Sequence, residues 1–248
     1  MKTGAITMRI TTVGSGSSGN CYIIEVDGEY LVLECGMKDR DILKALNFQT
    51  SKINACLISH GHQDHSQYVR ECLRYGFPIY ASEQVSADIA NTYGVHIRAM
   101  KRMKVNRISN GEVIPFRVPH NETECDGFYI RFRNHHILFI TDAEMCPFNL
   151  SKLEINHILV ECNYSAEYVD IDAPNKHHVF HGHMELQTCK RFLRTINGEL
   201  LKSIGLIHLS ADNSDPEQFK AEIETEFPNV TVWVAENGSS IELPDLEV

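Results

Sequence analysis

Ser59-His60-Gly61-His62-Gln63-Asp64-His65 places three imidazoles and a carboxylate within six consecutive positions, His60 to His65, at the end of the short apolar run ACLIS at 55–59. A run of that length and composition reads as a buried strand. The cluster therefore lies where the chain leaves that strand. Imidazole nitrogen and carboxylate oxygen are donors that suit zinc, iron and manganese. In a turn between a strand and a helix, His60 and His62 can converge on one ion while Asp64 and His65 face a second. Four side chains cannot complete two coordination shells, so further donors must come from elsewhere in the chain.

Three residues meet that need. His120 follows VIPFRVP, Asp142 follows HILFIT and His208 follows SIGLI, each directly behind an apolar run. Any one of them reads equally well as an ordinary polar residue at a strand end. Their recurrence behind three separate strands favours a shared site.

Working outward, short strands are expected at 8–13, 21–26 and 30–34, with a turn at Asp27-Gly28. A helix follows at 39–46, then the strand that carries the cluster. Helices are expected at 67–75, at 82–93 with a cap at Gly94, at 185–195 and at 216–226. Strands are expected at 78–81, 112–118, 128–132, 137–140, 157–161, 203–208 and 230–234. Strand meanders separated by helices point to an α/β chain in which two sheets pack face to face under outer helices, an αββα sandwich. At 248 residues with no low-complexity linker, the whole of 1–248 reads as a single domain.

Apolar residues make up 43% of the chain and charged residues 23%, the composition of a soluble globular protein. The net charge of -10 argues against non-specific binding to long nucleic acid, which depends on Lys and Arg neutralising phosphates. Two local groups run against that sign: Arg98, Lys101, Arg102, Lys104 and Arg107, and Lys190, Arg191 and Arg194 on an expected helix. A solvated face is the simpler reading of each. The eight cysteines are scattered without a CxxC pair, and no signal-like apolar run opens the chain, so a reduced, cytoplasmic protein is expected. No apolar stretch approaches the roughly 20 residues that cross a bilayer, so no membrane partner is expected.

HGHQDH at 60–65 resembles the HxHxDH signature of the metallo-β-lactamase superfamily, and the later single His, Asp and His follow its remaining ligand motifs in order. The resemblance spans nearly the whole chain. It implies two divalent ions, zinc first and manganese as the alternative: His60, His62, His120 and Asp142 on one, and Asp64, His65, Asp142 and His208 on the other. Asp142 would bridge, as in the phosphodiesterase and nuclease branches. GSGSSGNCY, TDAE, ECN, GHM and IHLSADN narrow the resemblance to two groups, the YycJ-type bacterial exonucleases and the phage anti-Pycsar proteins. The second implies a homodimer in the host cytoplasm that hydrolyses 3′,5′-cyclic nucleotide signals of the cyclic CMP and cyclic UMP type, with cyclic AMP and GMP as further substrates, as a counter-defence. The first implies a 5′-to-3′ exonuclease acting on DNA. The compact acidic chain favours the small cyclic substrate.

With two ions in place no protein nucleophile is needed. Asp64 is then the candidate to orient the attacking water and take its proton, and His183, in HGHMEL, to donate to the phosphate or the leaving oxygen. His177, His178 and His181 read as polar surface, as do His135 and His136 on an expected hairpin turn. The loop at 14–20 reads as a tight turn, since it lacks the Lys and helix of a P-loop. Glu161, Asn163 and the 208–213 segment are candidates for shaping the pocket. Tyr164, Tyr168, Phe148 and Phe180 are the aromatics available to stack on a base, and the sequence does not choose among them.

Overall fold

The structure, a computed structural model, describes residues 8–170, 180, 182–196 and 198–243. His177, His178 and His181 lie outside the described residues.

Two seven-stranded sheets share one layout. The first has β1 (Met8–Gly14), β2 (Cys21–Val26), β3 (Glu29–Leu33), β4 (Ile53–Leu57), β5 (Ile79–Ser82), β6 (Arg98–Met100) and β14 (Ser240–Leu243), in the order β14-β1-β2-β3-β4-β5-β6. The second has β7 (Asn106–Ile108), β8 (Gly111–His120), β9 (Thr123–Phe132), β10 (His135–Ile140), β11 (His157–Glu161), β12 (Ser203–Ile207) and β13 (Thr231–Val234), in the order β13-β12-β11-β10-β9-β8-β7. Pairing in the first sheet is antiparallel from β14 to β3 and parallel from β3 to β6. In the second it is antiparallel from β7 to β10 and parallel from β10 to β13. Each sheet thus changes mode once, at β3 and at β10. Such switch points open crevices at the carboxyl ends of strands, and each switch strand is followed by a buried acid at positive φ: Glu34 (68°) directly after β3, and Asp142 (46°) two residues beyond β10.

Local chemistry sets many of the boundaries. Asp27 and Gly28 take φ of 55° and 71° and close the β2–β3 hairpin in the left-handed geometry that matches strand twist. Helix α4 (Glu83–Tyr93) starts where the Ser82 hydroxyl accepts from Val85 N and stops at Gly94 in the left-handed conformation, as the sequence predicts. Helices α1 (Asp39–Ala45), α2 (Gln63–Ser66) and α3 (Val69–Arg74) precede it. Helices α5 (Leu186–Leu193) and α6 (Pro216–Glu226) follow; Glu185 caps α5, and Asp215 caps α6 with Pro216 in its first turn.

Three apolar layers result. Ile10, Ile24, Leu31, Phe128, Phe139 and Trp233 pack between the sheets. Ile42, Val69, Val85 and Ile89 join α1, α3 and α4 to the outside of the first sheet. Leu193, Phe192, Phe219 and Ile223 join α5 and α6 to the outside of the second. This is the expected αββα sandwich. The eight cysteines are free thiols. No described helix is long and apolar enough to cross a membrane.

The helix expected at 67–75 forms as α3, Val69–Arg74; just before it Tyr68 donates its N-H to Cys35 O and Gln67 Nε2 reaches Gly36 O, tying the chain between α2 and α3 to the loop after β3. One local expectation is corrected. His135 and His136 do not form a hairpin turn. They begin β10, opposite Phe132 and Arg131. His135 is fully buried, 3.1 Å from His157 Nε2, while His157 Nδ1 meets Ser203 Oγ at 2.9 Å.

Burial, with His135 and Lys202 adding to it, pushes the His157 imidazole down to about 3. The unfolded chain, with an ordinary imidazole near 6.5, therefore binds a proton that the folded chain refuses between about pH 6.5 and pH 3. This contribution to stability is intact above pH 6.5 and is lost as the pH falls, reaching about 3 kcal/mol by pH 4. Urea titrations of the metal-free protein should show wild type losing stability over this range more steeply than His157→Gln. Equal slopes would refute the assignment.

Candidate metal centre

Seven side chains from five segments meet at the strand ends between the two sheets. His60 and His62 come from the turn after β4, Asp64 and His65 from α2, His120 from the end of β8, Asp142 from the turn after β10, and His208 from the turn after β12. They fall into two groups, His60, His62, His120 and Asp142, and Asp64, His65, Asp142 and His208. Within each group one ligating atom per residue lies within 4.8 Å of all the others.

Asp142 divides its carboxylate between them. Its Oδ2 lies 3.9 Å from His60 Nε2 and 3.7 Å from His120 Nε2, and its Oδ1 lies 3.2 Å from His65 Nε2 and 3.5 Å from His208 Nε2. His62 Nδ1 stands 3.2 Å from His120 Nε2, and Asp64 Oδ2 stands 3.3 Å from His65 Nε2 and 3.5 Å from His208 Nε2. A tetrahedral ion bound at about 2.1 Å has ligand-to-ligand edges of about 3.4 Å, so these separations fit two ions. The Nε2 atoms of His60 and His208 are buried without a hydrogen-bond partner. Such orphaned polar atoms are costly unless a ligand satisfies them, and both turn toward Asp142.

The far sides of the rings are anchored, which fixes which nitrogen faces the centre. His120 Nδ1 donates to Gly182 O at 2.6 Å, and His208 Nδ1 to Glu161 Oε1 at 3.1 Å. Ser59 Oγ sits 2.9 Å from His60 Nδ1, and Thr123 Oγ1 3.2 Å from His62 Nε2. His65 differs: Asn20 Nδ2 meets Nε2, the nitrogen toward the centre, at 3.0 Å, and the far nitrogen Nδ1 faces Glu34 Oε2 at 3.7 Å without a hydrogen bond.

Electrostatics divide the ligands. Burial, reinforced by neighbouring imidazoles, holds His60 and His62 below the ordinary imidazole range, the neutral form that ligates metals. Burial opposes ionisation of Asp142 and Asp64, yet the surrounding imidazoles outweigh it and hold both below the usual carboxylate range. For His65 and His208 burial is outweighed by the carboxylates, Asp142 foremost; His208 is carried up to about 10. The site is a nest of carboxylates whose charge the protein's own imidazoles offset, and cations can take over that role.

His183 lies beside the cluster, not in either group of ligands. Its Nδ1 donates to Glu161 Oε1 at 2.7 Å, and its ring stacks on His208 at 5.3 Å. Glu161 is fully buried, and its Oε2 also accepts from Ala143 N and Met184 N. One carboxylate thus orients His208, His183 and the turn bearing Asp142. Replacing Glu161 with Gln should lower metal affinity or kcat/KM by about 10- to 100-fold, the range for partners of metal ligands, while the urea midpoint changes little. An unaltered enzyme would remove Glu161 from this role.

Sequence reasoning missed Glu34, which accepts from Ser59 N at 3.2 Å and faces His65, and it gave Asn20 no role at the site. Neither stands in a motif dense enough to be noticed. Their common signal is position, at strand and loop ends on the edge where the ligands collect.

The αββα sandwich and the two-group His and Asp cluster define a metallo-hydrolase of the metallo-β-lactamase fold. The chain belongs to the beta-lactamase superfamily, whose domain model matches residues 39–208. It is 24% identical over 232 residues to the exodeoxyribonuclease WalJ of Streptococcus pneumoniae serotype 2, covering 86% of this chain and 85% of the relative. It is 22% identical over 225 residues to the exodeoxyribonuclease YycJ of Bacillus anthracis, covering 85% of each. Among solved structures, the metallo-beta-lactamase fold protein YhfI of Bacillus subtilis superposes with a TM-score of 0.73 at 20% identity, covering 95% of this chain and 99% of that one.

Proposed function

We infer that the chain is a metal-dependent phosphodiesterase acting on 3′,5′-cyclic nucleotides. The observation that carries the hydrolytic part is the division of Asp142, one oxygen to each group of ligands. Two bound divalent ions, zinc by the donor set and manganese as the alternative, supply Lewis acidity: they lower the pKa of water and offset charge on the phosphoryl oxygens. Asp142 would bridge them. Asp64 is held too acidic by His208 and His65 to accept a proton readily, so it orients the attacking water more than it deprotonates it. His183 is raised above the ordinary imidazole range because Glu161 outweighs its burial. With Nδ1 committed to Glu161, its Nε2 is the nitrogen to protonate the leaving oxygen.

A small substrate is favoured by the charge around the cleft. The cleft over the cluster is about 350 Å³ and is lined by Ser17, Asn163, Ser210, Asp212 and the site residues, with no Lys or Arg among its described lining. Of the eight cations in the two basic groups of the sequence, three are tied to acids: Arg102 to Glu124 and Asp126, and Lys190 and Arg194 to Glu226. A long polyanion would need such cations unpaired along its path. The cytoplasmic, homodimeric, counter-defence part of this reading rests on the resemblance to the anti-Pycsar proteins. The second reading, a 5′-to-3′ exonuclease acting on DNA, is favoured by the two exodeoxyribonuclease relatives.

The two separate when zinc-loaded protein meets a panel of 3′,5′-cyclic nucleotides and, in parallel, end-labelled DNA and RNA, with His62→Ala as control. Opening of cyclic nucleotides with polymers intact, lost in the variant, is the expected result. Stepwise shortening of DNA with cyclic nucleotides untouched would establish the nuclease.

A further inference from the structure

Beside the cleft lies a second, larger cavity of about 740 Å³, within the range of small-molecule sites. His183 belongs to the walls of both. Three aromatic rings line it: Phe148 from the β10–β11 connection, Tyr164 beyond β11, and Phe180. Tyr164 and Phe180 meet edge to face at 5.8 Å. Tyr168, the fourth aromatic of this region, is bonded to Gln218 and lies outside the described lining. Among the rings stand isolated polar groups, notably Arg191 of α5, which donates to Thr188 Oγ1 at 2.7 Å.

Apart from His183, which stands with Asp142, Glu161 and His208, none of these residues belongs to a group able to hold a metal, and Phe180 remains 37% exposed despite its apolar ring. Aromatic faces with a few polar groups, one side chain away from a phosphoryl site, suit a flat heteroaromatic ring with a polar edge. We propose that this cavity is the nucleobase subsite: the base stacks on Phe180 and Tyr164, Arg191 donates to an acceptor on its edge, and the sugar passes His183 to the phosphorus at the metal groups. The placement of the phosphorus rests on the phosphodiesterase reading; the binding of the base does not.

The test uses full-length protein, wild type and Phe180→Ala, with Tyr75→Ala, an exposed aromatic at the end of α3, as control. Equilibrium dialysis of metal-free protein against cytidine, uridine, guanosine and adenosine should show saturable binding that weakens about tenfold in Phe180→Ala and is unchanged in Tyr75→Ala. With metal, the preference of wild type for a cyclic nucleotide over an abasic deoxyribose 3′,5′-cyclic phosphate should fall by a similar factor in Phe180→Ala, mainly through KM. No saturable nucleoside binding, or equal binding by both variants, overturns the subsite. Phe180-dependent nucleoside binding in a protein that cleaves no phosphodiester would keep the subsite and reject the phosphodiesterase. Phosphodiester cleavage without nucleoside binding would do the reverse.

Discussion

Asp142→Ala loses hydrolysis by on the order of a thousandfold in kcat/KM, about 4 kcal/mol of barrier, and loses bound metal from both groups of ligands. No other side chain belongs to both groups: Asp142 Oδ2 approaches His60 and His120, and Oδ1 approaches His65 and His208. The residue is 2% exposed, so water cannot take the place of its carboxylate at little cost. Removing it leaves buried His60 and His120 without the carboxylate beside them, and both groups without a shared oxygen donor. Asp142→Asn is the shape-conserving companion. It keeps one carbonyl oxygen and the packing of the turn, so its urea midpoint should stay near that of wild type while metal content and activity fall. Retention of two ions, or activity within tenfold of wild type, would show that Asp142 does not bridge.

Gly36→Ala is expected to damage the same site from below. A Cβ at Gly36 would stand 1.7 Å from Asp64 O and 2.7 Å from Asn20 N. Both are backbone atoms, and they bond each other at 2.7 Å; Gly36 N adds a bond to Asn20 O, and Cys35 N one to His65 O. No rotamer change can make room, so α2 must lift away from the loop after β3. The cost should reach about 3 kcal/mol, the upper range for overpacking a closed site. Since α2 carries Asp64 and His65 but not His60 or His120, metal loss should begin with the second group, leaving about one ion per chain. Urea denaturation and metal analysis of the same preparation check both parts. A variant of wild-type stability with both ions would mean that the contact relaxes cheaply.

The four candidate ligands at 60–65 were legible because they crowd one stretch of chain: His60, His62, Asp64 and His65 leave few readings other than a metal site. His120, Asp142 and His208 were legible for a weaker reason, their place behind apolar runs, which becomes informative once several occur together. The order of strands and helices carried the layers, since β2, β11 and α6 begin and end where their own side chains dictate. Strands β6, β7 and β14 were not legible. They are three or four residues long, rich in polar groups, and exist because a neighbouring edge pairs with them. The same limit hid Glu34, whose partner His65 lies thirty-one residues on, and hid the nature of His135, whose burial comes from packing on His157. The first residue of α3 was likewise not legible, because a bond from Tyr68 N to Cys35 O fixes where the helix starts. In each case a contact distant in sequence overrides a local signal.

The most direct measurement is the metal content of the purified protein by mass spectrometry, after incubation with excess zinc and exhaustive dialysis at neutral pH. Two ions per chain in wild type, with loss of both in Asp142→Ala, is the expected result. One ion or none in wild type would contradict the dinuclear centre on which the proposed hydrolysis depends.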